Sequence, residues 1–411
     1  NFLFIVCDQL SIDAISAYGN SNLYTPNIDR LVTGGVSFME SYSTNPVCSP
    51  ARSSLFTGKM PSETGVVTNN RAIHPDIPDM GQWLRQFSYE TVYCGKWHLP
   101  LGYPVKMRGF ETIPVGGGQG DVVDHLVSRQ CESYLLNRQA DKPFLLVASF
   151  MQPHDICYWA IHNRKLVPKD LRFEVIADKL PPLPLNHNAR PVAPEQLEKN
   201  SGYYGFNEIQ WRYYLYIYYR QVEMLDAEVG RLLDAIESSG CADNTIVIFT
   251  SDHGEGAGKH MNVQKWYPYE EAAKVPLIFY CPGIVPSGTR DYSHLVSGLD
   301  IVPSVCDFAG VKSPENCSGH SLKPLLEGRN VPWREFVPVE THVIGRTIRT
   351  ADFKYVKYKD DPVEQLFDIR NDPGETKNLY QKPEYMDIIQ EHRKILTSWE
   401  KSLIRRKPTK S

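Results

Sequence analysis

Five short apolar runs set the frame of this chain: FLFIVC at 2–7, TVYC at 91–94, FLLVASF at 144–150, TIVIFT at 245–250 and VPLIFYC at 275–281. Each is strand-sized and nearly continuous, without the alternation of a half-exposed sheet. Runs of this kind suit strands buried on both faces of a mostly parallel sheet. Helical patterns separate them. The clearest spans 211–238, where Tyr214, Ile217, Val222, Leu225, Val229, Leu232 and Ile236 recur mostly at steps of three or four and Gly240 marks the stop. The tyrosines crowded between Trp211 and Tyr219 read as packing residues. Strands alternating with helices predict an α/β fold whose mostly parallel sheet is sandwiched by helices.

From about residue 330 the pattern changes. Segments 336–341, 345–350 and 353–358 alternate like an antiparallel sheet, and a helix near 383–403 follows. The expected organisation is a catalytic α/β domain over 1–330 and a smaller C-terminal α+β subdomain over 331–411. Residues 158–210 are rich in proline and poor in periodic apolar positions. They read as a long loop over the core, a setting that suits substrate recognition. The basic tail from Arg405 reads as a solvated end.

Composition excludes several classes of partner. A net charge of -4 gives no reason to expect nucleic acid or an anionic membrane. The longest apolar runs are too short to span a bilayer. The chain opens directly in a strand, so a leader could have been removed. In that case a periplasmic, secreted or lysosomal-type compartment is expected, and otherwise the cytoplasm. The nine cysteines are scattered singly, with Cys7, Cys94 and Cys281 expected in the core, and no C-x-x-C pair suggests zinc or redox chemistry. A single disulfide near Cys306 and Cys317 stays open.

Chemistry gathers where the strands end. Asp8 and Gln9 follow the first run, and Asp252 and His253 follow the fourth. In an open α/β sheet ligands collect beyond the carboxyl ends of the strands. Two carboxylates, an amide oxygen and an imidazole there suit calcium, with magnesium or manganese as competitors. Lys96 and His98 follow the second run, His154 follows the third, and Lys265 lies ahead of Val275. Each alone would be an ordinary exposed lysine or satisfied histidine; together they form a set of cations and proton donors around one end of the sheet.

The remaining segment is Cys48-x-Pro50-x-Arg52, followed by Ser53, Ser54, Leu55, Phe56, Thr57 and Gly58. Pro50 has the fixed φ and missing N–H that suit a first helical turn. Cys48 then lies at a helix N-terminus, where backbone N–H groups favour a tetrahedral anion.

This C-x-P-x-R stretch resembles the signature of the type I sulfatases, in the alkaline-phosphatase-like superfamily, whose cysteine is oxidised after translation to formylglycine. Gly95-Lys96-Trp97-His98, Pro153-His154, the SDHGE segment at 251–255 and Leu366 to Asn378 are also similar to that family, so the resemblance runs from residue 1 to about 380. It implies a sulfuric ester hydrolase dependent on a maturation enzyme that generates formylglycine. It implies a metal held by Asp8, Gln9, Cys48, Asp252 and His253, with Asp252 accepting the proton of the attacking hydroxyl. Arg52 and Lys96 would hold the hydrated aldehyde, His98 would assist sulfate release, and His154 or Lys265 would protonate the leaving oxygen. Gln9 stands where many members have a second Asp, and His253 where some have Asn. That pair occurs in carbohydrate sulfatases and in phosphonate and phosphodiester hydrolases. A sulfated saccharide or small molecule is therefore the expected substrate. A phosphonate monoester or phosphodiester hydrolase is the rival enzyme, and an inactive carbohydrate-binding relative the rival of another class. Asp226 and Asp300 resemble recurrent acidic positions and read as structural, and His260 has a family counterpart without an assigned role.

Overall fold

The computed structural model describes residues 1–100, 107–139, 141–163, 176–200, 205–342 and 344–409. The strands of the first part are β1 (Phe2–Asp8), β2 (Val36–Phe38), β3 (Ser41–Tyr42), β4 (Glu90–Gly95) and β5 (Glu111–Ile113). They are followed by β6 (Phe144–Pro153), β7 (Ile246–Ser251), β8 (Leu277–Tyr280), β9 (Thr289–Asp291) and β10 (Val296–Ser297). The last four are β11 (Phe336–Thr341), β12 (Gly345–Thr350), β13 (Phe353–Tyr358) and β14 (Glu364–Asp368). The main sheet runs β5-β4-β6-β1-β7-β8-β2-β9.

All five apolar runs are strands of this sheet, and β1 shows why they lack alternation. Its seven residues are all buried. Leu3, Ile5 and Cys7 enter one hydrophobic cluster, while Phe2, Phe4 and Val6 enter another on the opposite face. Strand geometry sends successive side chains to opposite faces, so a sheet covered on both sides needs apolar residues at every position. Cys7, Cys94 and Cys281 lie in these cores, and all nine cysteines, Cys306 and Cys317 included, are free.

The sheet is parallel from β5 to β7, and β8 reverses against β7. A parallel neighbour requires a crossover long enough to return to the starting edge. Residues 252–276 instead stay at the carboxyl end of β7, and the chain re-enters the sheet from that end. Strands β2, β5 and β9 have three residues each, too short to register as runs in the sequence.

The periodic segment at 211–238 is the helix Glu208–Ser238, begun by a capping box between Asn207 and Gln210. Gly230 lets it approach the helix Pro26–Gly34, since a Cβ there would lie 2.5–2.7 Å from the Asn27 side chain. The shorter helix has no side-chain cap of its own from Thr25. Asp226, reaching over from the long helix, accepts from Asn27 N at 3.0 Å and Ile28 N at 2.7 Å. Asp300 is likewise structural: it accepts from Ser297 N and His320 N, both at 2.8 Å, and pairs with Arg334.

Strands β11 to β14 form the antiparallel sheet expected near the C-terminus. Alternation again divides it: Tyr355 and Leu366 pack with the helix Met386–Ser402, while Val356 and Phe367 pack with Tyr267 and Tyr269 of the first part. Two expectations are corrected. Segment 158–210 is not one loop: residues 164–175 and 201–204 lie outside the described residues, and the rest includes the end of the helix Asp155–Asn163 and the helix Glu195–Asn200. The basic tail is docked rather than solvated. Arg406 N donates to Ser62 O at 3.0 Å and its guanidinium pairs with Asp76, while Thr409 Oγ1 donates to Ala72 O at 2.8 Å. Among the described residues no helix is long and apolar enough to cross a membrane.

Asp226→Ala should leave two N–H groups at the start of the Pro26–Gly34 helix without their acceptor, at a cost of about 1–3 kcal/mol. Urea unfolding should show a lower midpoint at unchanged slope. A midpoint equal to wild type would mean the helix is capped by other means.

Candidate active site

The site is built at the carboxyl ends of β4, β6, β1 and β7 and at the start of one helix. That helix, Cys48–Thr57, has all ten residues buried and ends at Gly58, whose φ of 65° favours glycine. Cys48 is its first residue. The N–H of Ser49 is satisfied by Asn69 Oδ1 at 2.9 Å. Two turns further along the helix Phe56 packs against Trp97, ring centroids 5.1 Å apart. Burial of Trp97 fixes the turn after β4, and its neighbours Lys96 and His98 remain partly exposed. Gly95 permits this turn: a Cβ would lie 1.9 Å from Ser149 O.

Arg52 lies one helical turn after Cys48 and is fully buried. Its Nε donates to Asp252 Oδ2 at 2.8 Å, and a terminal nitrogen reaches Asp8 Oδ2 at 3.3 Å. The other terminal nitrogen donates to Ser149 Oγ at 2.8 Å and Lys96 O at 2.9 Å. One guanidinium thereby ties the helix to the ends of four strands. Lys96 completes the pairing through an ion pair with Asp8.

Asp8, Cys48, Asp252 and His253 converge, with one ligand atom of each within 4.8 Å of the others. Cys48 Sγ is 3.2 Å from His253 Nε2 and 3.7 Å from Asp8 Oδ1. His253 Nδ1 is 2.9 Å from Gly254 O. A carbonyl only accepts, so that nitrogen carries the proton and Nε2 faces the cluster, the arrangement of a metal-ligating histidine. Burial would raise the Asp8 carboxyl, yet Lys96, His154, Lys265 and Arg52 hold it well below the ordinary range. Asp252 is pushed up to about 6, by burial first and then by the charge of Asp8. Asp252 stays raised even with Arg52, Lys96 and Lys265 at hand, so a further positive charge beside the two carboxylates would be favourable.

Gln9 lies beside the cluster with its amide held from two sides. Its Oε1 accepts from Lys265 Nζ at 2.5 Å, and its Nε2 donates to Glu255 and lies 3.0 Å from Cys157 Sγ. Burial pushes the Cys157 thiol up to about 12, against the charge of Lys265. His154, after β6, is held down to about 4 by burial and by Lys265 and Lys96, so its ring is neutral at pH 7. Lys265 keeps its proton: burial opposes the charge, but Cys157, Cys48 and Asp8 raise its pKa above that of an ordinary lysine. Lys96, His98 and His154 line a cavity of about 470 Å³ whose other walls include Trp97, Val115 and Met151.

Three contributors have no role that the sequence assigns them. Glu255 sits within the SDHGE segment and accepts from Tyr214 OH at 2.6 Å and Gln264 N at 2.6 Å. Cys157 lies one turn after His154. Ser149 belongs to an apolar run, yet its hydroxyl accepts from Arg52. The tyrosine-rich helix also does more than pack. Tyr214 and Tyr218, one turn apart, point hydroxyls at the site, and Tyr218 OH donates to Gln9 O at 2.9 Å. His260 is set apart from the cluster: it bonds Glu271 at 2.8 Å and stacks on Tyr269 with centroids 4.2 Å apart.

Comparison with known proteins agrees with this geometry. Residues 1–311 match the sulfatase family model, and residues 258–402 match the model described as N-sulphoglucosamine sulphohydrolase, C-terminal. The chain is similar to the Delta 4,5-hexuronate-2-O-sulfatase of Bacteroides thetaiotaomicron, at 31% identity over 97% of this chain and 88% of the relative. A solved 2-O GAG sulfatase superposes with a TM-score of 0.87 at 30% identity, covering 97% of this chain and 91% of its own. A structure in complex with its substrate D-glucosamine-2-N,6-O-disulfate superposes with a TM-score of 0.81 at 25% identity, covering 98% and 97%. With the family model spanning most of the sequence and both comparisons covering nearly all of it, this chain is a sulfatase, a member of the type I sulfatase family in the alkaline-phosphatase-like superfamily.

Proposed function

We propose that the chain hydrolyses a sulfate monoester on a carbohydrate, using formylglycine derived from Cys48 and a divalent cation, calcium in preference to magnesium or manganese. The observation that carries this reading is the convergence of Asp8, Asp252 and His253 on Cys48 at a helix start, beneath a cavity lined by Lys96 and His154. Cys48 Sγ occupies the place where the oxygens of the matured residue would lie. The hydrated aldehyde supplies a hydroxyl to attack sulfur and a second one whose deprotonation releases sulfate. Asp8, Asp252 and His253 would hold the cation, with Gln9 Oε1 beside them, and the cation would supply positive charge at the attacking oxygen.

The remaining work falls to the side chains. Asp252, with its carboxyl near 6, can accept the proton of the attacking hydroxyl. Arg52 fixes both carboxylates and the helix bearing residue 48. Lys96 reaches from Asp8 toward the cavity, where it neutralises nonbridging sulfate oxygens as the bond breaks. His154, neutral and with Nδ1 free of any hydrogen-bond partner, presents its ring to the ester. Lys265 holds Gln9 in place and carries a proton near the leaving oxygen. His98 faces the same cavity, with a buried unpartnered Nδ1, where it can assist release of sulfate. The glucosamine disulfate seen bound to a relative supports a saccharide substrate.

Peptide mass spectrometry of active protein should show position 48 as the aldehyde, and Cys48→Ala should abolish turnover with the fold retained. Active protein carrying only cysteine there contradicts the proposed nucleophile. Parallel assays on aryl sulfate and aryl phosphodiester should favour the sulfate; a preference for the diester would reassign the substrate class.

Exhaustive chelation should remove activity and calcium should restore it. Asp252→Asn should weaken cation binding and lower kcat/KM by about 100-fold or more, since it removes one of two carboxylates and the candidate base. Full turnover in metal-free protein would exclude this assignment.

The leaving-group donor can be found with a series of sulfate esters of graded alcohol acidity. A sugar alkoxide needs protonation as it departs, whereas an aryl oxide of low pKa needs little. Replacing the true donor, His154 or Lys265, with alanine should therefore hurt sugar sulfates far more than nitrophenyl-type sulfates. Lys96→Ala should hurt both about equally. Uniform losses for both candidate donors would transfer the role to His98.

A further inference from the structure

The loop that carries Lys265 is bent at residues that are not glycine. Ala257, His260, Met261, Gln264 and Trp266 have φ values of 47°, 51°, 53°, 65° and 99°. Such backbone is uncommon outside glycine, and for a side chain as bulky as Trp266 it is strained. Strain of this kind persists only where the surroundings over-determine it. Part of the restraint lies within the loop: Gly256 N donates to Gln264 O at 2.7 Å, and Gly258 N donates to Asn262 O at 3.0 Å. Further restraint comes through His260, which stands outside the catalytic cluster.

His260 is buried and tied to two other segments. Its backbone N–H donates to Asn186 O at 3.2 Å, and Asn186 Nδ2 donates to Gly374 O at 3.0 Å. Its ring lies on Tyr269. Nδ1 is 2.8 Å from Glu271 Oε1, and Nε2 is 3.3 Å from Glu375 O. A carboxylate and a carbonyl both accept, so both nitrogens carry protons and the ring is an imidazolium. Charge balance agrees. Glu40, Glu270, Glu271 and Glu375 meet in this region with Lys274, Arg349 and Lys354, which leaves one carboxylate for His260. Lys259, beside it, is paired with Asp13, and His187 Nδ1 is 2.6 Å from Gly258 O. Burial would strip the proton from the His260 ring, but Glu271 first and then Glu375 raise its pKa above the ordinary 6.5. Burial also pushes the Glu375 carboxyl up to about 7, against the charge of Lys354. That carboxyl faces Lys354 and Glu270 N, while the backbone carbonyl of Glu375 meets His260.

We propose that His260 is a positioning residue: its charged ring clamps the turn at Gly374 and Glu375, in the C-terminal part, to the loop that holds Lys265 beside Gln9. The proposal rests on the sulfatase reading of the site and adds what the C-terminal part does for it. The clamp is complete only while the ring keeps both protons. Since the folded value is raised, its contribution to stability is fully present below 6.5 and is lost as pH rises through the folded value.

The test uses His260→Asn. Asparagine tolerates the left-handed backbone and keeps an N–H donor, but it carries no charge. At pH 7 kcat/KM on a sulfate ester should fall about tenfold, because the lysine that bonds Gln9 is no longer held in place. With Lys265 already replaced by alanine, the same change should cost less than about twofold, since residues that act through one another are not additive. Equal losses in the two backgrounds would mean a general structural role and overturn the proposal. The gap between wild type and His260→Asn, in kcat/KM and in urea midpoint, should close as pH rises. Glu375→Gln keeps the carbonyl, so the gap should still close in that background; a gap independent of pH there assigns the effect to the Glu375 carboxyl and overturns the clamp. NMR of the full-length protein labelled with 15N-histidine reads the ring directly. The signal missing from His260→Asn should be that of a doubly protonated ring at pH 7, and a neutral ring contradicts the proposal. If wild type cleaves no sulfate ester the sulfatase reading fails, while the NMR signal and the urea midpoints still decide whether His260 is a charged clamp.

Discussion

The structure depends on one buried guanidinium. Arg52 bridges Asp8 and Asp252 and also bonds the end of β6 through Ser149 and the turn after β4 through Lys96 O. The helix that carries it is buried on all sides, so no apolar stripe can fix its rotation about its axis. The ion pairs do that instead. Charges this deep in a protein gain little net stability, because desolvation offsets their attraction. What they secure is direction, since a planar fork with five donors admits few geometries, and a lysine could not reach four acceptors at once. Cys48 is placed beside His253 because Arg52, one turn later, has a single seat.

Charge balance explains the rest of the site. Two carboxylates face three cations, Arg52, Lys96 and Lys265, within a region almost closed to water. Asp252 stays partly uncompensated, and its carboxyl is held up to about 6 by burial and by Asp8. A glutamine at position 9 limits the negative charge to two carboxylates, and its amide oxygen serves as the acceptor for Lys265. Its other end rests on Glu255, which Tyr214 steadies from the long helix. The wall of the adjoining cavity is left to Lys96, His98 and His154 among its polar groups.

Much of this was legible in the residues alone, for a reason that also marks the limit. Strands buried on both faces write themselves as unbroken apolar runs, so β1, β4, β6, β7 and β8 are visible, and polar residues directly after them stand out. Strands β2, β5 and β9 are three residues long and owe their existence to partners elsewhere in the sheet. The reversal of β8 was hidden for the same reason: an apolar run records burial and not direction. Ser149 and Cys157 carry ordinary local sequence, Glu255 is marked only as the end of a family-like segment, and three-dimensional proximity gives all three their work. Tyr214 and Tyr218 look like packing residues because they are; the hydroxyl at the end of each ring is the part a hydrophobic period cannot show. Likewise Arg406 and Thr409 form a docked tail through partners more than 300 residues away.

The burial of Cys48 has a bearing on timing. In the finished fold the residue is 1% exposed and every residue of its helix is enclosed. Under the proposed function, an enzyme that converted this cysteine would have to reach a side chain that the folded chain encloses. The cage closes only when Asp252 and His253 arrive, and 204 residues separate position 48 from position 252. At a synthesis rate of about 5–20 residues per second, that separation leaves roughly 10–40 s in which the segment has left the ribosome and the cage cannot yet form. Under the proposed function, maturation would thus be a race against the completion of the chain. The long-range order that makes the finished site rigid would also be what keeps it open to such an enzyme during synthesis.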